Sequence, residues 1–145
     1  METINEIQDK IIEEFNNYED WLDKYDRLIE LGKEVPLIDE KYKTKEYQIK
    51  GCQSRVWLYP EFKDGKLYFT ADSDAVITRG LIALLIKIFS GRTPEEILNA
   101  NLYFLDKIGL KENLSPTRAN GLLAMIKQIK LYALAYQSKL NQQKN

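Results

Sequence analysis

Cys52 is the side chain in this sequence whose chemistry stands out, because it is the only cysteine among 145 residues. It lies in the stretch "IKGCQSRVWL", followed by the polar residues Gln53 and Ser54. A free cysteine is either a small buried hydrophobe or a reactive thiol. Gly51 favours the reactive interpretation, because glycine marks a backbone that bends sharply or allows close approach. We therefore expect the Cys52 sulfur at the tip of a loop on a rigid base.

The composition limits what this thiol can do. The chain contains no histidine, which excludes Cys-His and Ser-His pairs and a His-ligated metal. A thiol with an ordinary pKa of about 8.5 is ionised only to a few per cent at pH 7. This fraction is too small for an efficient stand-alone hydrolase, but it suffices for exchange with a partner that supplies the electrophile. With no second cysteine, any S–S bond at Cys52 must involve another molecule, so the residue looks like a carrier.

Basic residues are candidates for assisting this thiol. Lys50 and Arg55 are close to it in sequence, and Arg118 could be close in space. Arg118 falls in the first turn of the last predicted helix, where a cation opposes the helix dipole. Three interpretations are open for Arg118: a role near the sulfur, a plain surface arginine, or an ion pair to the acidic stretch "DSD" at 72–74.

Three further polar residues have a structural and a functional interpretation. Asp72 and Asp74 are typical of caps for the helix that follows them, but they could instead face a partner. Ser54 could hydrogen-bond the loop or the sulfur, or it could be a plain turn residue. A carboxylate-only metal site stays open, but no EF-hand spacing or zinc motif is present, so we expect no metal site.

The hydrophobic period changes along the chain from helical to alternating and back, which predicts one α+β domain over residues 1–145. Helices are predicted over 4–16 and 20–31, with Gly32 as the cap of the second. Residues 55–59 and 67–71 predict strands joined by an Asp64-Gly65 turn. Residues 47–50 are expected to add a third strand.

The second half of the chain is predicted to be helical. An apolar helix follows "DSD" and ends at Gly91, and its Gly80 indicates close packing on another element. Thr93 and Glu96 form a capping-box pattern. A short helix is predicted over 101–108, and the last helix runs from the "LSPTR" signal to about Ser138, followed by a frayed tail "LNQQKN".

Charge and hydropathy narrow the class of protein. The net charge of −1 argues against nucleic-acid and membrane surfaces as partners. The most apolar run, 75–91, is interrupted by Arg79 and Lys87 and is shorter than the ~20 apolar residues of a membrane span. No signal peptide is visible, so we expect a cytoplasmic protein.

Several separated motifs together resemble the SufE family of sulfur-acceptor proteins. They are "LIELGKEVP" (28–36), "GCQSRVWL" (51–58), "ADSDAVITRGLIALL" (71–85), "IGL" (108–110) and "LSPTRANGLLAMI" (114–126). The resemblance implies a fold similar to the IscU-type iron–sulfur scaffolds, with about three strands. It also implies that Cys52 is the acceptor cysteine, in a protein without a cofactor of its own.

The resemblance further implies a partner and a pathway. A pyridoxal-phosphate cysteine desulfurase of the SufS kind would hold sulfur as a persulfide, and Cys52 would accept that sulfur and pass it to a SufBCD-like scaffold complex. The residues expected to support the loop or bind the partner are Gly51, Gln53, Ser54, Asp72, Asp74 and Arg118.

Two other functions stay open at this point. The chain could be a purely regulatory partner of a desulfurase in which Cys52 is incidental, or a thiol hydrolase, which the missing histidine weakens. If Cys52 is a carrier, the apolar neighbours Val56 and Trp57 suggest that its sulfur is partly sheltered until a partner opens the loop.

Overall fold

The fold is known from a computed structural model that describes residues 2–143. It is α+β, as predicted, with a two-stranded antiparallel sheet packed against helices. The elements are α1 (Ile4–Asn16), α2 (Trp21–Lys33), a 3₁₀ turn (Glu40–Tyr42), β1 (Val56–Lys63), β2 (Lys66–Ser73), α3 (Val76–Phe89), α4 (Pro94–Asn99), α5 (Phe104–Lys107), α6 (Leu110–Asn113) and α7 (Pro116–Gln143).

The hairpin forms where the sequence predicts it. Asp64 and Gly65 have φ values of 52° and 79°, and positive φ at both central residues is the turn geometry that matches strand twist. Lys63 pairs with Lys66 directly across that turn. Along both strands alternate side chains enter the core, among them Leu58, Leu67, Phe69 and Ala71.

The prediction of three strands, as in the scaffold-type fold, is wrong. The backbone of residues 47–50 pairs with β1 through a single isolated bridge, between Gln48 and Trp57, because the chain turns away at Gly51, whose φ is 93°. The opposite edge of the hairpin, formed by β2, is also covered by an isolated bridge, between Leu37 and Ala71. Both edges of the hairpin are therefore covered by short segments instead of by further strands.

Helices α2 and α3 cross at two glycines. A Cβ on Gly80 would lie 2.1 Å from the Leu28 carbonyl oxygen, and one on Gly32 would lie 3.0 Å from the Gly80 nitrogen. The predicted close packing at Gly80 is confirmed. The prediction that Gly32 caps α2 is wrong, since the helix continues through Gly32 to Lys33.

The C-terminal region follows the capping signals, with two differences. Thr93 and Glu96 form the expected capping box of α4. The helix expected over 101–108 is present only as the shorter α5, and a further short helix that was not predicted, α6, follows Gly109 at φ 70°. Helix α7 extends beyond Ser138 to Gln143, so most of the expected frayed tail is helical, and its last two residues lie outside the described range. None of the helices within 2–143 has the length and apolar character needed to cross a bilayer.

Candidate functional site

The Cys52 loop is closed at its base by the two buried residues Ile49 and Val56. The Ile49 N–H donates to the Val56 carbonyl at 2.8 Å, and both side chains belong to the hydrophobic core. At the bend, Gly51 combines a positive φ with a close approach to α7, because a Cβ there would lie 3.3 Å from the Ala124 Cβ. A side chain at residue 51 is thus disfavoured both by strain and by contact.

The Cys52 sulfur is half-buried and packs against α7. Its S–H donates to the Gly121 carbonyl at 3.6 Å, and a Cβ built on Gly121 would lie 3.5 Å from Sγ. Burial raises the pKa of the Cys52 thiol, so the resting sulfur is predominantly protonated at neutral pH.

The partial shelter of the sulfur arises from residues other than those suggested by the sequence. Val56 is fully buried in the core, and the Trp57 ring lies beneath the Lys43 ammonium, 5.5 Å from its centroid. Neither residue lines the space around Cys52. The cover comes instead from Gly121 and its neighbours on α7, which are distant in sequence.

Cys52 opens into a surface pocket, here called the Arg118 pocket, with a volume of about 410 Å³. The structure brings together in it four of the residues singled out from the sequence. Its lining residues are Cys52, Gln53, Ser54, Thr78, Leu81, Ser115, Thr117, Arg118, Gly121 and Met125.

Arg118 is an exposed residue that lines this pocket, which fits both a surface arginine and a role near the sulfur. It lies in the first turn of α7, where its backbone N–H donates to the Ser115 hydroxyl at 3.3 Å. The ion pairs found among residues 2–143 do not include Arg118, so it is not tied to the acidic stretch 72–74. Arg118 lines the same pocket as Cys52.

Asp74 supports the cysteine loop directly. Its carboxylate accepts from the Arg55 backbone N–H at 3.1 Å, and its own N–H donates to the Arg55 carbonyl at 3.3 Å. This pair fixes the chain just after Ser54 to the end of the hairpin. The prediction that Asp74 caps the next helix is wrong, since α3 has Ala75 at its N-cap and no side-chain cap bond.

The prediction that Asp72 caps the next helix is also wrong. Its carboxylate lies 2.7 Å from the Lys43 ammonium and 2.9 Å from the Arg79 Nε. Burial tends to raise the pKa of Asp72, but the hydrogen bonds from Lys43 and Ser73 and the two positive charges hold it below its ordinary value. Asp72 therefore anchors β2 to α3 and does not line the spaces around the sulfur.

A second concavity lies on the other side of the cysteine loop. It has a volume of about 420 Å³ and is here called the lysine groove. Its lining residues are Lys45, Gln48, Ile49, Lys50, Gly51 and Cys52.

Sequence reasoning missed Thr78, Gly121 and Lys45. Thr78 is nearly buried within α3, and a lone threonine in an apolar helix carries no signal. Gly121 follows "PTRAN" inside a helix, and only the fold shows that Cys52 rests on it. Within residues 2–143 no group of three or more metal-binding side chains comes together.

Comparison with known proteins adds to this geometry. Residues 9–133 match the family model "SufE: Fe-S metabolism associated domain". An uncharacterized SufE-like protein of Rhizobium meliloti is 44% identical over 127 residues, covering 84% of this chain and 91% of the relative. The sulfur acceptor protein CsdE of Escherichia coli is 40% identical over 111 residues, covering 75% of this chain and 76% of the relative.

A solved structure supports the fold. The solution structure of a hypothetical protein from Thermus thermophilus superposes with a TM-score of 0.75 at 20% identity, covering 91% of this chain and 96% of the other. At that identity the likeness concerns the fold alone. Taken with the family model and the relatives, these matches establish that the chain belongs to the SufE family.

Proposed function

We propose that this protein is a sulfur carrier in which Cys52 accepts sulfur from a PLP-dependent cysteine desulfurase of the SufS kind. The observation that carries the proposal is the placement of the only thiol, which is half-buried on a bend and opens into a pocket with Arg118. A relative with 40% identity is named a sulfur acceptor protein. The cytoplasm is the compartment we propose for this reaction.

The transfer step balances without an added oxidant or reductant. Cys52 loses its proton, and the thiolate attacks the outer sulfur of the desulfurase persulfide. A new S–S bond forms at Cys52 while the S–S bond of the desulfurase breaks, and the desulfurase cysteine leaves as a thiolate that takes up the proton. The carrier then holds the persulfide and passes its outer sulfur to a SufBCD-like scaffold by the same exchange.

The resting geometry explains why a partner is needed for this step. The thiol is protonated and donates to Gly121, and burial works against its ionisation. A partner that moves the loop breaks this hydrogen bond and exposes the sulfur. Ser54, Thr78 and Arg118 line the same pocket, and their side chains carry hydrogen-bond donors suited to an anionic sulfur.

Replacement of Cys52 separates the carrier from a regulator. Cys52→Ser keeps the size of the side chain but removes the nucleophile, so we expect complete loss of desulfurase stimulation and of any sulfur added to the chain. The measurements are cysteine turnover and intact mass after mixing with desulfurase and cysteine. A regulator would instead keep its stimulation in this variant, and the carrier proposal would then fail.

A second variant tests the position of the thiol. Cys52→Ser combined with Ser54→Cys moves the only thiol by two residues within the same pocket. We expect no recovery of transfer, because residue 54 lacks the contact with Gly121 and the adjoining bend at Gly51. Turnover of a thioester by the wild-type protein alone would favour the hydrolase alternative instead.

A further inference from the structure

The two concavities that Cys52 lines share an electrostatic feature. The Arg118 pocket contains one cation and the lysine groove contains two, Lys45 and Lys50, and neither has an aspartate or glutamate in its lining. The whole chain has a net charge of −1, so a surface without carboxylates is not an effect of composition.

Other concavities of the molecule have mixed or acidic linings. The one between α1 and α4 includes Glu96, one beside α2 and α3 includes Glu34 with Lys87, and one along α1 includes Glu2 and Glu14 with Lys10. The first of these contains a carboxylate and no cation, and in the other two cations and carboxylates lie together. The surface around Cys52 is positive by comparison.

The cations of the lysine groove are not used within the fold. Both lysine side chains belong to exposed residues, and neither takes part in an ion pair anywhere in the described chain. They do not activate the resting sulfur either, because the pKa of Cys52 is raised and burial is the cause. Two free ammonium groups beside the loop are thus available to something outside the chain.

We propose that the lysine groove is a docking site for an acidic segment of the protein that exchanges sulfur with Cys52. This inference rests on the proposed carrier function. Carboxylates complement the Lys45 and Lys50 ammonium groups, and the Gln48 side chain adds a hydrogen-bonding group to the same groove. Because the groove adjoins Gly51, a segment bound there lies directly against the bend that carries the sulfur.

The test is charge reversal in the groove with a matched reversal elsewhere. Lys45→Glu/Lys50→Glu is compared with Lys63→Glu/Lys66→Glu, which changes the same charge at the hairpin turn. The eight residues of β1 place that turn about 23 Å from the loop end of the strand. For each protein, cysteine turnover by a SufS-type desulfurase is measured against carrier concentration, from about 20 to about 300 mM NaCl.

We expect the groove variant to need at least about tenfold more protein for half-maximal stimulation at low salt. Its salt dependence should be weaker than that of the wild type, while maximal stimulation is retained. The hairpin variant should match the wild type in all three quantities. Circular dichroism confirms that both variants are folded.

Three outcomes would overturn the inference. The first is an unchanged half-saturating concentration in the groove variant, and the second is an equal loss in the hairpin variant. The third is a lower maximal stimulation with unchanged half-saturation, which would mean that the lysines act on the thiol and not on docking. A wild-type protein that gains no sulfur on Cys52 by intact mass would instead refute the carrier function itself.

Discussion

Two helix glycines of this protein, Gly80 and Gly121, lie in close contacts of different kinds. At the crossing of α2 and α3, a Cβ on Gly80 would lie 2.1 Å from the Leu28 carbonyl oxygen. On α7, a Cβ on Gly121 would lie 3.5 Å from the Cys52 sulfur, an ordinary van der Waals distance. The core therefore excludes a side chain at residue 80, whereas the resting site would accept one at residue 121.

This difference separates a requirement of the fold from one of the site. Glycine inside a helix costs about 1 kcal/mol relative to alanine. At Gly80 the close packing of two helices offsets that cost. At Gly121 no close packing of helices offsets that cost in the resting protein. A second sulfur bonded to Cys52, however, needs more room than the thiol alone. We therefore expect Gly121 to matter when the sulfur is loaded.

The largest expected effect is a loss of stability when Gly80, the glycine in the core, is replaced. Gly80→Ala places a methyl group against backbone that belongs to another helix, so the two helices must separate. Overpacking of this kind costs about 3 kcal/mol, which lowers the melting temperature by roughly 10 °C for a chain of this size. Thermal unfolding followed by circular dichroism measures it. A melting temperature equal to that of the wild type would show that the crossing tolerates a side chain.

The hairpin and the helix caps were predictable because their signals are local. Asp64-Gly65 can supply positive φ at both central residues, and Thr93 with Glu96 satisfies its own helix end. The prediction of a third strand was wrong because an alternating pattern does not indicate how many residues pair with the neighbouring strand. Only the bend at Gly51 limits it to one bridge.

Much of the site could not be predicted because it depends on distant contacts. The proposal that Cys52 is the reactive group follows from its being the only cysteine and from the glycine before it, and its neighbours in the loop follow from chain order. Asp72 appeared to be a helix cap because nothing local reveals that Lys43 and Arg79 converge on it. Gly121 gave no signal, since its role as the surface beneath the sulfur exists only after α7 packs on the loop.

The second prediction tests the site glycine. Gly121→Ala should raise the free energy of unfolding by about 1 kcal/mol, because alanine is the better helix former and its methyl fits beside the thiol. The same methyl should slow sulfur acceptance, because it occupies space beside Sγ. The measurements are thermal unfolding and the rate at which sulfur appears on Cys52 by intact mass.

Asn120→Ala is the matched control for this variant. It changes an exposed residue in the same turn of α7, so helix propensity improves while the surroundings of the sulfur stay the same. Its stability should rise without any change in loading. If the Gly121→Ala variant gains sulfur on Cys52 at the wild-type rate, the space beside the sulfur is not needed for transfer. Gly80 and Gly121 would then differ only in how tightly their surroundings are packed.

The smallest expected effect is a shift in the pH dependence of Cys52 alkylation, which does not involve the stability of the fold. Alkylation by iodoacetamide requires the thiolate, and burial raises the pKa of Cys52. The midpoint of the pH–rate profile should therefore lie above the ordinary value of about 8.5. Urea-unfolded protein supplies the reference, with its midpoint near that ordinary value. A folded-state midpoint below the unfolded one would mean that cations near Cys52, from Arg118 or from the lysine groove, stabilise the thiolate in the free protein.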